Sequence, residues 1–300
     1  LDLAALNPNI TAITAAMPGG TGLKAFGDEY PVRYFDVGIA EEHAVTLAAG
    51  MAAAGKHPVV AIYSTFAQRA YDQLMHDVCL QNLPVTLCLD RAGLVGEDGP
   101  THHGVFDLSY LRHMPNMTVM APKDENELRQ MLAAAIALPG PTAIRYPRGA
   151  GLGVEVEKEF HSIPYGKAEV LSNTGDIAFL AIGSMVDNAS KAAISLAGEG
   201  IAARVVNMRF VKPLDIELLR RLATEVKLFV SVEENVLPGG FGSAIGEFLV
   251  DENIAIPLLR IGIPDAFITQ GKRQELWELC GLLPEQIAER VKKYMAEREQ

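Results

Sequence analysis

Short apolar runs alternate with helical patterns along the whole chain, and this alternation restricts the fold more than any other feature. Runs at 10–16, 32–37, 58–63, 84–90, 117–121 and 142–146 read as strands. Helical patterns at 40–54, 66–81 and 126–136 lie between them, the last introduced by Asp124 as a helix-capping acid. Strands separated by helices of this length are joined as parallel neighbours through right-handed crossovers. A polar, irregular stretch carrying Glu155, Glu157, Lys158, Glu159 and Pro164 then interrupts the pattern, which places a boundary there. A second alternation follows, with strands at 177–182, 203–208, 228–233 and 257–261 and helices at 186–197, 216–223, 241–250 and 284–296. The expectation is an α/β protein of two domains, each a mostly parallel sheet flanked by helices: a first domain at 1–153, a linker at 154–166 and a second domain at 167–300.

A chain of 300 residues, 49% hydrophobic and 21% charged, can bury a core for both units. Its net charge of -11 excludes the basic face that a nucleic acid or an anionic membrane would require. The three cysteines are too few and too scattered for a disulfide framework or a Cys-x-x-Cys metal site, and read as reduced, buried thiols. The small-residue segment 44–55 is too short to span a bilayer, and the opening at Leu1 shows no signal-peptide pattern. These features point to a cytoplasmic protein. The absence of an initiator methionine points to a piece of a longer one.

In such sheets ligands bind beyond the carboxyl ends of the strands, and chemistry-bearing residues crowd there. The loop from Asp90 to Asp107 holds Gly93, Gly96 and Gly99, suited to positive φ, together with Asp98, His102 and His103. Adjacent histidines cannot both face one ligand in most backbones, so one is expected to act and the other to hold structure. Glu41, Glu42 and His43 follow the strand at 32–37 and open a helix. Capping accounts for one acid, but a carboxyl at the low-dielectric mouth of a sheet can also share a proton with a ligand nitrogen. Tyr63, Phe66 and Arg69 combine aromatic faces with a cation. Arg91 and Arg148 add guanidiniums at the same edge, where a phosphate suits their forked geometry. No third ligand stands at metal spacing from the two histidines, so no metal site is expected within the chain. Gly240-Phe-Gly242-Ser-Ala-Ile-Gly246 superficially resembles a dinucleotide fingerprint, but its spacing and late position favour a structural role.

The segments 35–44, 61–73, 90–96, 98–112, 145–149 and 232–235 together resemble the 1-deoxy-D-xylulose-5-phosphate synthase family, thiamin-diphosphate enzymes of the transketolase superfamily. The resemblance covers essentially all 300 positions. It implies the pyrimidine-binding and C-terminal domains, without the N-terminal domain whose Gly-Asp-Gly motif holds the diphosphate through Mg2+. It implies condensation of pyruvate with glyceraldehyde 3-phosphate to 1-deoxyxylulose 5-phosphate and CO2, for isoprenoid and thiamin synthesis, by the complete dimeric enzyme. This chain alone is expected to be inactive. By the same resemblance Glu41 bonds the aminopyrimidine of the cofactor, Phe66 stacks against it, and Tyr63, Arg91 and Arg148 hold the aldehyde's phosphate. His102 moves protons at the substrate oxygens, with Asp98 beside it. Two other readings stand: a separate C-terminal subunit of a transketolase or of a 2-oxo-acid dehydrogenase (E1 β), and, of another class, a non-catalytic assembly module.

Overall fold

The computed structural model describes residues 1–298; positions 299 and 300, the end of the expected second domain, lie outside the described residues. The first sheet contains β1 (Ile10–Thr14), β2 (Tyr34–Asp36), β3 (His57–Tyr63), β4 (Thr86–Asp90), β5 (Thr118–Met120) and β6 (Thr142–Arg145). The second contains β7 (Glu169–Ser172), β8 (Ile177–Ala181), β9 (Ala203–Asn207), β11 (Leu228–Val236) and β12 (Leu258–Ile263), and β10 (Phe210–Lys212) stands apart from it. Helices flank both sheets, as the strand-helix alternation requires. The central strands are apolar runs buried on both faces: every residue of β1, β4 and β8 is buried. Such burial is what makes their sequences continuous rather than alternating.

Strand order in the first sheet is β10-β5-β6-β4-β3-β1-β2, and all its pairs are parallel except β10 with β5. From β1 the chain moves outward to β2, whereas from β3 it moves the other way to β4. A crevice therefore opens at the carboxyl ends of β1 and β3, the topological switch point where ligands bind in open α/β sheets. Register aligns Thr14 with Asp36 and Tyr63 with Asp90 along that edge. The second sheet runs β12-β11-β8-β9-β7, antiparallel only between β7 and β9.

β10 lies beyond the expected linker at 154–166, yet it pairs with β5, placing Phe210 opposite Met120. Beside it the buried Glu127 accepts hydrogen bonds from Asn207 Nδ2 at 2.9 and 3.0 Å and from Arg209 Nε at 2.6 Å. Lys123 Nζ donates to Glu169 at 2.9 Å. The two halves are thus fastened by a shared strand and a buried charge cluster.

Several local expectations change. The stretch 66–81 is not one helix but a turn of α-helix at Ser64–Ala67, a 3-10 turn at Gln68–Ala70, three residues at Tyr71–Gln73 and a π-helical segment at Leu74–Cys79. Its apolar positions Ala67, Ala70, Leu74 and Val78 are buried at helical spacing. Its polar ones are drawn to separate partners, Arg69 to Glu41 and Tyr71 to His113, and the regular hydrogen-bond ladder loosens. At 32–37 only Tyr34–Asp36 is strand, because Pro31 opens a 3-10 turn over Pro31–Arg33.

Candidate active site

Glu41 begins the helix Glu41–Ala53 directly after β2 and is only 2% exposed. Its backbone position is favourable for an acid at a helix N-terminus. Arg69 Nη1 donates to Oε1 at 2.7 Å. The second oxygen, Oε2, is buried and has no hydrogen-bond partner. Such an orphaned carboxylate oxygen is costly in a folded interior and rare, so a polar group from outside the chain is the natural occupant opposite it. Glu42 and His43 are exposed on the same turn, which leaves Glu41 alone to face inward.

From Glu41 a chain of contacts runs through the other aromatic and cationic positions. The Arg69 guanidinium lies 5.0 Å from the Phe66 ring centroid. Phe66 stacks on Tyr63 at 5.4 Å with an interplanar angle of 15°, and His102 meets Phe66 edge-on at 5.5 Å. Arg91 covers the opposite end, 3.8 Å from the Tyr63 centroid, a cation-π contact. Arg91 has φ 59, a strained conformation outside glycine, held by its Nη1 donating to Gly20 O at 2.8 Å and by an ion pair with Asp90. Burial pushes the Asp90 carboxyl above its ordinary value against the pull of Arg91. Gly20 has no room for a side chain: a Cβ there would lie 2.2 Å from Tyr63 Oη.

In the loop after β4, Gly93, Gly96 and Gly99 all take positive φ. The two histidines divide. His103 is buried; its Nδ1 accepts from Val95 N at 3.1 Å, so Nε2 carries the proton and donates to Thr269 O at 3.1 Å. Both its ring nitrogens serve the loop. His102 is half-buried, with Nδ1 2.9 Å from Thr101 Oγ1 and its ring against Phe66. Asp98 does not hydrogen-bond to His102. It pairs with Arg148, Nη1 to Oδ2 at 2.5 Å, and both side chains are nearly half exposed.

A cavity of about 500 Å³ opens beside this cluster, between the halves of the chain. Arg91, Arg148 and Gly20 form part of its wall, with Lys123, Arg273 and Trp277 from farther along the sequence. Glu41, Tyr63, Phe66 and His102 do not line it. The arrangement is therefore an orphaned carboxylate and aromatic cluster on one side and a guanidinium-rich hollow on the other. Among the described residues no three His, Cys, Asp or Glu side chains converge as a metal would need.

Three buried ionic residues lie in the segments 145–149 and 232–235, which gave them no role. Arg145 is 3% exposed and donates to Asp107 at 3.1 Å, to Gly104 O at 3.1 Å and to Glu234 O at 3.0 Å, beneath the histidine loop. Glu234 is fully buried where β11 meets that loop. Burial would raise its carboxyl, but Arg273, Ser184 and Trp277 hold it below its ordinary value. Glu233 accepts from Phe241 N and Gly242 N, both at 2.7 Å, at the start of the helix Phe241–Asp251. A Cβ on Gly240 would lie 2.2 Å from its Oε2. The glycine cluster that superficially resembles a dinucleotide fingerprint thus receives the protein's own carboxylate at its helix N-terminus. A run of two acids inside an apolar strand was the signal available for Glu233 and Glu234.

Residues 2–152 match the family described as transketolase, pyrimidine binding domain, and residues 166–287 match transketolase, C-terminal domain. The chain belongs to the transketolase family. It is 57% identical over 295 residues to 1-deoxy-D-xylulose-5-phosphate synthase 1 of Geobacter sulfurreducens, covering 98% of this chain and 46% of that protein. The synthase of Syntrophus aciditrophicus is 59% identical over 294 residues, with 98% and 45% covered. The chain thus spans about half the length of the curated relatives it matches. A solved structure described as split gene transketolase, inactive beta4 tetramer, superposes with TM-score 0.85 at 33% identity, covering 97% of this chain and 93% of that one.

Proposed function

We propose that this chain is the pyrimidine-binding and C-terminal portion (1–153 and 167–300, joined at 154–166) of a 1-deoxy-D-xylulose-5-phosphate synthase. The complete enzyme condenses pyruvate with D-glyceraldehyde 3-phosphate, releasing CO2, in the cytoplasm and as a homodimer. One observation carries the reading: the buried Glu41 presents an oxygen without a partner, while its other oxygen is held by Arg69, whose guanidinium lies over the Phe66 ring. That orphan fits the nitrogen of an aminopyrimidine, and the apolar ring fits its face. Thiamin diphosphate, when bound, supplies the carbon nucleophile through which a 2-oxo acid loses CO2 and joins an aldehyde.

The residues of this chain then have separable tasks. Glu41, fixed by Arg69 through its other oxygen, orients the heterocycle and holds a proton at the shared hydrogen bond. His102, on the edge of Phe66, stands where a proton can be given to or taken from a substrate oxygen. Arg91 and Arg148 offer forked donors to a phosphate, with Tyr63 beneath Arg91. In this structure Asp90 and Asp98 hold those guanidiniums, so an arriving phosphate competes with Asp98 for Arg148. The diphosphate and its Mg2+ fall to the N-terminal domain of the complete enzyme, and residues 1–300 by themselves are inactive.

The likeness to a split-gene transketolase of nearly equal extent favours one second reading, a separate C-terminal subunit. The test is to mix the purified chain with a separately expressed N-terminal diphosphate-binding domain, and to follow CO2 release from pyruvate with glyceraldehyde 3-phosphate as acceptor. The reading expects activity in the mixture, none in either part, and loss with Glu41→Ala. Turnover of ketose phosphates instead of pyruvate would establish the second reading. No turnover in the mixture, with association of the two parts unaffected by Glu41→Ala, would leave the assembly module.

A further inference from the structure

The loop that bears His102 packs Leu94 and Val105 into the core of the second half of the chain, and polar contacts from that half fix its backbone at both ends. Glu234 Oε1 accepts the Leu94 N–H at 3.0 Å, at the start of the loop. The backbone carbonyl of Glu234 accepts from Arg145 Nη2 at 3.0 Å, and the same guanidinium nitrogen donates to Gly104 O at 3.1 Å, at its end. Between them His103 donates to Thr269 O. The carboxylate of Glu234 is in turn fixed by Ser184 Oγ at 2.6 Å, Arg273 Nη2 at 2.7 Å and Trp277 Nε1 at 2.8 Å. Gly93 makes this approach possible: its φ is +80, and a Cβ there would lie 2.5 Å from Glu234 Cδ.

We infer that Glu234 is a positioning residue, a buried clamp through which the C-terminal half holds the His102 loop in register with the Phe66 cluster. The inference rests on the function proposed above for its catalytic consequence, though not for the clamp itself. A fully buried carboxylate that is neutralised within its own half and reaches across to a loop amide of the other fixes geometry at a site that it does not touch. Removing its charge leaves Arg273 uncompensated, and the new amide nitrogen opposes either the Leu94 and Trp277 donors at one oxygen position or the Arg273 donor at the other.

Hydrogen exchange tests the clamp in the 300-residue chain, comparing wild type, Glu234→Gln and the milder Trp277→Phe, which keeps an aromatic ring and removes one donor. Amides at 93–104 should exchange at least about ten-fold faster in E234Q, and less markedly in W277F, while helix Glu41–Ala53 stays protected. Unchanged exchange at 93–104 in both variants would overturn the clamp. So would uniform acceleration across the chain in both, which is ordinary destabilisation. In the complete enzyme Glu234→Gln should lower kcat by about ten-fold or more, with KM for the phosphorylated aldehyde within about two-fold, because Arg91 and Arg148 are untouched; Trp277, which lines the hollow, is read by exchange alone. A normal kcat with a loosened loop would overturn the positioning role. A wild-type complete enzyme without synthase turnover would overturn the proposed function and leave the clamp standing.

Discussion

Replacing Glu41 with leucine should move stability and function in opposite directions. In the wild-type chain the buried Oε2 lacks a partner, and an unsatisfied buried polar atom costs about 1–3 kcal/mol. Leucine removes that cost. It also removes the ion pair with Arg69, but that guanidinium is 49% exposed, and a pair so screened is worth at most about 1 kcal/mol. The favourable contact of an acid with the helix N-terminus is lost too, roughly 0.5 kcal/mol at this position. The sum is stabilisation of about 1 kcal/mol, read as a higher urea midpoint at unchanged m-value. Thiamin diphosphate binding by the complete enzyme should disappear in the same variant. Such a trade of stability for function is what an active-site acid is expected to show. A Glu41→Leu chain less stable than wild type by more than about 1 kcal/mol would refute the reasoning, since the orphaned oxygen would then have a partner that the structure does not show.

Other perturbations follow from the buried charges. Arg145→Met leaves Asp107 buried and without its guanidinium, and should cost about 3–5 kcal/mol in urea unfolding, a loss that Arg145→Met with Asp107→Leu should partly restore. Glu233, pushed up to about 7 by burial despite the donors at Phe241 and Gly242, binds its proton more tightly folded than unfolded. Stability contributed by that proton is therefore complete below about 4.5 and is lost as pH rises through about 7, and Glu233→Gln should flatten the slope of unfolding free energy across that window. Asp98→Asn releases Arg148 and should tighten inorganic phosphate or glyceraldehyde 3-phosphate by no more than about five-fold, measured by calorimetry, because the pair it breaks is half exposed.

Much of the architecture was legible because long apolar strands and the helices after them carry strong periodic signals. β3, β4 and β8 lie where their runs predict, and Asp124 caps its helix by accepting from Glu127 N. What escaped was short or non-local. β10 has three residues and no measurable period, and its partner β5 stands about ninety positions away in sequence. The helix Arg273–Cys280 is brief, at 8 residues, and mixes polar and apolar positions evenly. At the candidate site, residue types at strand ends and in the glycine loop pointed to Tyr63, Phe66, Arg91, the Glu41–Glu42 pair and the His102–His103 pair, and the family resemblance chose Glu41 and His102; the fold brings these into one line of contacts. They could not say that Asp98 would face Arg148, because that pairing depends on how the glycine loop folds back. Nor could they reveal Glu234 as the meeting point of Leu94, Ser184, Arg273 and Trp277, since those residues lie up to 140 positions from it.

The excursion of β10 into the first sheet has a bearing on how such a protein can be divided. Cleavage at 154–166 followed by separation would strip β5 of its outer neighbour and uncover a row of backbone donors and acceptors, the kind of border that recruits stray strands. A protease nick there should consequently leave the pieces travelling together through gel filtration, and a gene arranged to encode them apart would have to deliver both to the same nascent assembly.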